Sequence, residues 1–185
     1  TLTKGGSPVV PGTTLLGTGA TLVWRAALNA NGVLGAFTTR AWDSSLASDT
    51  AVQVNVDVAA ANDQPTLTTI STLNGAVEDT DFAITYAMLA GAANEADVDG
   101  DGLSFRVEAV TSGTLTKGGS PVVPGTTLLG TGETLVWRGA LNANGVLGAF
   151  TTTAWDGLLA SSPAVQVNVD VAAANDQPTL STIST

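Results

Sequence analysis

The chain has neither cysteine nor histidine among its 185 residues. Without cysteine it can form no disulfide and offers no thiolate, either as a nucleophile or as a metal ligand. Without histidine it lacks the side chain that most often serves as a general base and as a ligand of transition metals. Only carboxylate-pair or metal-assisted chemistry remains open to such a chain. The sequence therefore predicts that the protein is not an enzyme.

Basic residues are scarce as well. Lysine and arginine total 6 against 16 aspartates and glutamates, so the formal net charge is −10. Such a charge repels nucleic acid and anionic membrane surfaces, and we expect no nucleic-acid partner. No apolar run approaches the ~18 residues that a membrane-spanning helix needs, so we expect no membrane insertion. Hydrophobic residues make up 44% of the chain, unlike a disordered acidic tail, and the acidic excess favours cations as ligands.

One long stretch of the sequence occurs twice. Residues 1–72 recur as residues 114–185 without insertion, so Thr1 corresponds to Thr114 and the offset is 113 throughout. The differences are Ala20 to Glu133, Ala26 to Gly139, Arg40 to Thr153, Ser44-Ser45 to Gly157-Leu158, Asp49-Thr50 to Ser162-Pro163 and Thr68 to Ser181. This period is too long for a solenoid repeat of ~20–50 residues and suits a domain of ~100 residues. We therefore expect a linear array of consecutive domains, formed by recent duplication of one unit.

The repeat predicts the domain boundaries. Residues 73–113 occur once only. We interpret residues 1–63 as the C-terminal part of one repeat without its opening strands, 64–176 as a complete repeat, and 177–185 as the start of the next. On this interpretation the chain is a window on a longer array, and its expected partners are neighbouring repeats of the same chain or copies of the same protein.

Alternation of apolar and polar residues predicts several strands. In residues 164–171, valines at every second position fall on one face, which is typical of a half-buried antiparallel strand. Further strands are expected at residues 51–58, 103–110, 134–138 and 149–155, and a short helical turn at residues 86–92. Turn residues separate them at roughly the 8–12-residue spacing of sandwiches. The predicted fold is all-β, in tandem Greek-key β-sandwich modules of about seven strands each.

Three acidic clusters lie at the expected junctions between modules or at turns of the chain. They are Asn-Asp-Gln-Pro at residues 62–65 and again at 175–178, Glu-Asp-Thr-Asp at 78–81, and Asp-Val-Asp-Gly-Asp-Gly at 97–102. Hard cations such as Ca²⁺ take about six to eight oxygen ligands from carboxylates, amides and carbonyls. The third cluster supplies three carboxylates on a tight glycine-rich turn, so it favours Ca²⁺. The alternative is a solvated acidic turn, and for the Glu-Asp-Thr cluster this alternative is stronger.

The acidic turn also matches the EF-hand sequence pattern, but the residues that follow it argue against an EF-hand. Residues 97–108 match the EF-hand sequence D-x-D-x-D-G-x5-E. That motif needs a loop that returns its last glutamate to the ion, whereas residues 103–110 alternate as a strand. Fully extended, Asp101 and Glu108 would lie ~23 Å apart. We therefore predict that Glu108 is not a calcium ligand.

The order of the motifs resembles a known family. Glu-Asp-Thr at 78–80, Asp-Val-Asp-Gly-Asp-Gly-Leu-Ser-Phe at 97–105, Gly-Thr-Leu at 113–115, and the runs at 149–157 and 164–178 follow one another as in bacterial cadherin-like tandem repeats of large surface adhesins (the VCBS and tandem-95 types). The resemblance covers the whole chain and implies immunoglobulin- or cadherin-like modules. It also implies a protein that is secreted to the extracellular cell surface.

The resemblance extends to the calcium sites of true cadherins. There a linker Asn-Asp is followed about 15 residues later by a glutamate and about 30 residues later by an Asp-x-Asp pair. The implied ligands here are Asn62, Asp63, Glu78, Asp97, Asp99, Asp101, Asn175 and Asp176, with Glu78 at the far end of its own module beside the last two. This chain has fewer linker acids than cadherins and no upstream Asp-Arg-Glu motif, so the number of ions stays open.

The four tryptophans leave a second function open. Trp24 and Trp137 lie on apolar strands and are predicted to fill the core, whereas Trp42 and Trp155 are out of phase with the neighbouring phenylalanines and can face outward. The leading hypothesis is a structural extension (stalk) module of an extracellular adhesin or surface fibre, stiffened by calcium at inter-module junctions. The alternatives are a carbohydrate-binding module that uses exposed tryptophan, with polysaccharide as its partner, and a subunit of an extracellular filament.

Overall fold

The computed structural model describes residues 1–180 and 182. They form two compact units, which we call unit 1 (Thr1–Asn62) and unit 2 (Asp63–Thr185). The strands of unit 1 are β1 (Leu2–Lys4), β2 (Ser7–Pro8), β3 (Leu22–Trp24), β4 (Gly32–Thr39) and β5 (Val52–Val58). The elements of unit 2 are β6 (Leu73–Val77), β7 (Phe82–Thr85), α1 (Tyr86–Ala92), β8 (Ser104–Val110), β9 (Thr114–Lys117), β10 (Ser120–Pro121), β11 (Leu128–Leu129), β12 (Thr134–Arg138), β13 (Gly145–Trp155) and β14 (Val165–Ala172). Of the expected start of the next repeat, residues 177–185, residues 181 and 183–185 lie outside the described residues.

Unit 2 is a β-sandwich. One sheet has four strands in the order β10-β9-β12-β7, and the other has five in the order β11-β8-β13-β14-β6. Neighbouring strands are antiparallel except β6 and β14, which run parallel. The predicted all-β sandwich is therefore confirmed, with seven longer strands and two strands of two residues each.

The core of unit 2 lies between its two sheets. Along β14, Val167, Val169 and Val171 are buried and Asp170 is exposed, as their alternation predicts. The opposite sheet contributes Trp137, which is 1% exposed and donates from its indole Nε1 to the Ser112 carbonyl at 2.9 Å. This bond satisfies the one polar atom of a side chain that otherwise fills the core. The prediction that Trp137 is a core residue is confirmed.

The short helix and one glycine turn join the two sheets. Thr85 caps α1, since its Oγ1 accepts a hydrogen bond from Met88 N at 3.1 Å, and Leu89 of the same helix is buried. The predicted helical turn is thus confirmed. Gly113, which leads into β9, has a φ of +66°, and a Cβ there would lie 2.1 Å from the Arg138 carbonyl oxygen. Only glycine fits at this turn.

Each strand of unit 1 has an equivalent in the last part of unit 2, although β11 has no equivalent strand among residues 1–62. Its sheets are β2-β1-β3 and β4-β5. The β4–β5 ladder runs from Gly32 opposite Val58 to a bulge after Gly35, and the β13–β14 ladder has the same register and the same bulge 113 residues later. Residues 1–62 contain no buried side chain, whereas unit 2 contains the whole core cluster.

The helix content is small. Among the described residues, α1 with its seven residues is the one helix. No helix among them is long and apolar enough to cross a membrane.

Candidate metal centre

The acidic turn of unit 2 lies between α1 and β8. Asp97, Asp99 and Asp101 each offer a carboxylate oxygen, and the three oxygens lie within 4.8 Å of one another. Across residues 1–180 and 182, this is the one group of three or more acidic side chains close enough to hold a single ion. The structure thus brings together the three carboxylates that the sequence singled out.

The backbone shapes the turn around Asp97. Its Oδ1 accepts hydrogen bonds from Asp99 N at 2.8 Å and from Asp101 N at 3.4 Å, so the side chain curls the chain around itself. Gly100 has a φ of +81°, which permits the tight return. The local sequence therefore places the second and third carboxylates beside the first.

The linker is held against this turn. Residues Thr66 and Ala96 form an antiparallel bridge, with Thr66 N donating to Ala96 O at 2.8 Å and Ala96 N donating to Thr66 O at 3.0 Å. Antiparallel pairing then brings Asp63 to Asp99, and Asp63 N donates to Asp99 Oδ2 at 2.7 Å. Asp63 is half-buried and lies in the same unit as the turn. Asn62 is the exposed last residue of unit 1.

One carboxylate oxygen of the cluster lacks a partner. Asp97 Oδ2 is buried and accepts no hydrogen bond, although Oδ1 of the same group accepts two. Burial of an unpaired anionic oxygen costs free energy unless a proton donor or a cation compensates it. All three carboxylates are hard oxygen donors, which suit Ca²⁺ rather than a transition metal. The residues present therefore fit a calcium ion.

Glu95 adds to this region and was missed by the sequence analysis. Its Oε2 is also buried without a hydrogen-bond partner, and desolvation by burial raises the pKa of the Glu95 carboxyl above its usual range. It lies two residues before Asp97 but does not belong to the group of three. The signal that could have found it is its place directly before an acidic turn, in a segment that otherwise consists of alanines and Asn94.

Glu78 lies elsewhere in unit 2. It is 5% exposed, its Oε1 accepts from Ala174 N at 2.6 Å, and its Oε2 accepts from Asn144 Nδ2 at 2.8 Å. Ala174 directly precedes Asn175, so the structure places Glu78 against this segment. Asn175 and Asp176 are themselves exposed. Oε1 of Glu78 thus holds the segment that follows β14, and Oε2 holds the turn that precedes β13. A calcium role for these three residues stays a prediction.

Glu108 lies on a strand, as the rejection of an EF-hand requires. In β8 its Oε1 accepts from Arg106 Nε at 2.7 Å and from Thr153 Oγ1 at 2.8 Å. It is not among the carboxylates of the cluster. This glutamate stabilises a sheet, and the prediction that it is no ligand of the acidic turn agrees with its position.

The tryptophans differ in exposure. Trp155 is half-buried beneath the Arg106 guanidinium, which lies 4.7 Å from the ring centroid. Trp42, its equivalent in unit 1, is 51% exposed. Trp24 is half-buried, although its equivalent Trp137 is fully buried. The sequence placed Trp24 in the core, and this prediction is wrong, because residues 1–62 contain no equivalents of the strands β6, β7 and β8 that complete the sheets around Trp137.

Comparison with known proteins adds little about this site. No protein-family model and no curated protein matches the chain. One solved structure is similar, an endo-fucoidan hydrolase of glycoside hydrolase family 107, at 16% identity and a TM-score of 0.38. The match covers 94% of this chain, which spans 24% of the length of that protein.

This match corrects one prediction. The sequence analysis concluded that the protein is not an enzyme, and the similarity to a glycoside hydrolase contradicts that conclusion. The physical reason is that glycoside hydrolysis commonly needs only a pair of carboxylates, so the absence of histidine and cysteine does not exclude it. At this TM-score the similarity assigns neither an activity nor catalytic residues to this chain.

Proposed function

We propose that this chain is a structural extension module of a tandem-repeat extracellular adhesin or surface fibre, stiffened by calcium. The observation that carries the proposal is the near-identity of two copies of one sandwich-forming sequence, which keep the same strand register. A stalk needs length rather than distinct sites, so near-identical copies suit it. The resemblance to bacterial cadherin-like repeats supports the same role and an extracellular location.

Calcium is proposed to bind at the acidic turn. Asp97, Asp99 and Asp101 would hold the ion. The ion would compensate the buried Asp97 Oδ2, which has no hydrogen-bond partner. The ion would supply positive charge that cancels the repulsion among the clustered carboxylates. Since Asp63 N is bonded to Asp99, ordering of the turn would also order the start of the repeat. In this way calcium would stiffen the connection between successive repeats.

Calorimetric titration with Ca²⁺ tests the site. We expect saturable binding to the parent chain and at least about tenfold weaker binding to Asp97→Asn, because one charge of the cluster is lost. Asp170→Asn is the matched control, since it makes the same change of charge at an exposed position of β14 outside the cluster. Equal weakening by both variants would mean a general charge effect, and no binding to the parent chain would remove calcium from the proposal.

Small-angle scattering tests the mechanical role. With Ca²⁺ we expect a narrower distribution of particle lengths than with a chelator. Asp97→Asn should show the chelated profile under both conditions, whereas Asp170→Asn should behave like the parent chain. Identical profiles of the parent chain with and without the ion would contradict stiffening even if Ca²⁺ binds.

Polysaccharide binding is the second candidate function. Trp42 is 51% exposed, and exposed aromatic rings can stack on sugar faces. Titration with a soluble polysaccharide would then quench tryptophan emission, and Trp42→Ala would abolish the quenching while Trp155→Ala would not. Quenching that survives Trp42→Ala would rule out this ring as the binding surface.

A further inference from the structure

One carboxylate of unit 2 is buried away from the acidic turn. Glu78 directly follows β6 and is 5% exposed, and among residues 1–180 and 182 it is the one aspartate or glutamate that is buried. Burying an ionised carboxylate costs free energy unless hydrogen-bond donors or a cation compensate it. The groups that contact its two oxygens therefore indicate what this side chain does.

Both oxygens of Glu78 accept hydrogen bonds from residues far along the chain. Oε1 accepts from Ala174 N at 2.6 Å, and Oε2 accepts from Asn144 Nδ2 at 2.8 Å. Hydrogen bonds to an ionised acceptor are about twice as strong as bonds between neutral groups. Two donors of the protein itself thus compensate the buried charge. We call Glu78, Asn144 and Ala174 the Glu78 clamp.

The clamp acts on the segment through which the chain leaves the sandwich. The parallel pairing of β6 with β14 ends at Val77 opposite Ala172, and Glu78 N donates to Ala172 O at 3.0 Å. The side chain of Glu78 then binds Ala174, two residues beyond the end of β14. Residues 172–174 are exposed alanines, so packing contributes little to their order. The bonds to Glu78 therefore fix the course of this segment.

The turn after Glu78 is itself tied to the opposite side of the sandwich. Asp79 has a φ of +61°, and its Oδ1 accepts from Asn142 N at 3.0 Å. Its backbone oxygen accepts from Arg138 Nη2 of β12 at 2.6 Å. Asn142 belongs to the loop between β12 and β13, which also carries Asn144. The clamp is thus anchored to strands of both sheets, and such an anchor can hold a carboxylate in one position.

We propose that Glu78 is a positioning residue that fixes the direction in which the chain leaves the sandwich, and that it does so through hydrogen bonds without an ion. This gives Glu78 a role other than the calcium ligation that the family resemblance implied. The inference deepens the proposed stalk function and rests on it in one respect, because a stalk needs a fixed course of the chain between repeats. The clamp shares no residue with the acidic turn at 97–101.

Amide hydrogen exchange of Ala174 in the full chain tests the clamp. We expect exchange at least about tenfold slower than in an unstructured peptide, both with Ca²⁺ and with a chelator. Fast exchange in the parent chain under both conditions would overturn the clamp. Protection that the chelator removes would overturn the claim that no ion is needed and would favour calcium ligation by Glu78.

Asn144→Asp tests the side-chain partner. This variant places a second carboxylate against Glu78 Oε2, and we expect Ala174 to exchange at least about fivefold faster while Val169, in the middle of β14, keeps its rate. Asn74→Asp is the matched control, because Asn74 is also followed by glycine and lies at an exposed position of β6. Equal acceleration at Ala174 in both variants would overturn the proposal, since added negative charge alone would then explain it.

A swap of donor and acceptor separates positioning from general stability. In the double variant Glu78→Gln with Asn144→Asp, the new amide can donate to the new carboxylate while its oxygen still accepts from Ala174 N. We expect the exchange rate of Ala174 to return to within about threefold of the parent rate. A double variant that exchanges as fast as Asn144→Asp alone would overturn the proposal. The swap also remains informative if Asn144→Asp unfolds, because the double variant is compared with the parent chain.

Backbone relaxation of Asn175 tests the positioning role itself. We expect an order parameter of about 0.8 in the parent chain and below about 0.6 in Asn144→Asp, with recovery in the double variant. Unchanged order in Asn144→Asp would overturn positioning. Calorimetry of the same variants separates this from the calcium proposal, because Asn144→Asp should bind Ca²⁺ as the parent chain does. Absence of Ca²⁺ binding by the parent chain would contradict stiffening by calcium, whereas the clamp would still be supported by the exchange and relaxation results.

Discussion

Units 1 and 2 share almost the same sequence over residues 1–62 and 114–175, yet they differ in what that sequence buries. Trp137 and Leu129 of unit 2 are 1% and 0% exposed, whereas Trp24 is only half-buried and Leu16 is 56% exposed. The strand pairs and the bulge are the same in both. Strand register is therefore a local property of the repeated sequence, and burial depends on the residues before β9, which cover one copy only.

The largest expected effect concerns the two equivalent tryptophans. Trp137→Ala should destabilise unit 2 by about 3–5 kcal/mol, since it empties a fully buried site and leaves the Ser112 carbonyl without its donor. Trp24→Ala should cost less than about half as much, because the side chain is partly solvated already. Urea unfolding followed by circular dichroism measures both. Equal losses of stability would mean that Trp24 is packed as well as Trp137, and would contradict the difference in burial between the two units.

A glycine pair gives the next effect. Gly113→Ala would place a Cβ 2.1 Å from the Arg138 carbonyl at a φ of +66°, and we expect a loss of about 2 kcal/mol or more. Gly118→Ala is the matched control, with a φ of +58° and nothing within 4 Å of the added Cβ, so only the cost of the left-handed conformation of about 1–2 kcal/mol remains. Thermal unfolding compares them. A Gly113→Ala variant as stable as Gly118→Ala would show that the turn can shift.

The smallest effect comes from a charge that one unit has and the other lacks. In unit 2, Lys117 Nζ lies 2.7 Å from Glu133 Oε2, whereas the equivalent of Glu133 in unit 1 is Ala20. The hydrogen bond from Lys117 and a second from Gly130 N lower the pKa of Glu133 below 4.5. Because both side chains are substantially exposed, Glu133→Ala should cost below about 1 kcal/mol at neutral pH.

The pH dependence of that pair follows from the direction of the shift. A carboxyl whose pKa is lowered on folding contributes stability above its unfolded value of 4.5, and this stability is lost as pH falls through the folded pKa. The difference between Glu133→Ala and the parent chain should therefore be constant above pH 4.5 and vanish in stronger acid. A difference that grew in acid would assign another role to Glu133.

Much of unit 2 follows from its sequence. The predicted strands at 103–110, 134–138, 149–155 and 164–171 coincide with β8, β12, β13 and β14 to within a few residues, because alternation and turn residues act locally. The two-residue strands β10 and β11 were not predicted, since two residues carry no periodicity. The parallel pairing of β6 with β14 was not predicted either, because the partners lie far apart in the chain.

The candidate site divides in the same way. The sequence predicted Asp97, Asp99 and Asp101 as a group, because three acids on a glycine turn are neighbours in any fold. It did not predict the unpartnered state of Asp97 Oδ2, the burial of Glu95 or the two bonds that occupy Glu78. Those depend on segments that reach the site from elsewhere in the chain.

The sequence by itself determined the repeat, the positions of the longer alternating strands and the acidic turn, since each rests on residues close together in the chain. Only the tertiary structure decided which copy of the repeated residues is buried. In unit 2, residues 64–113 supply three strands that complete both sheets and cover Trp137 and Leu129. Burial is a property of the surrounding layers rather than of the side chain that they cover.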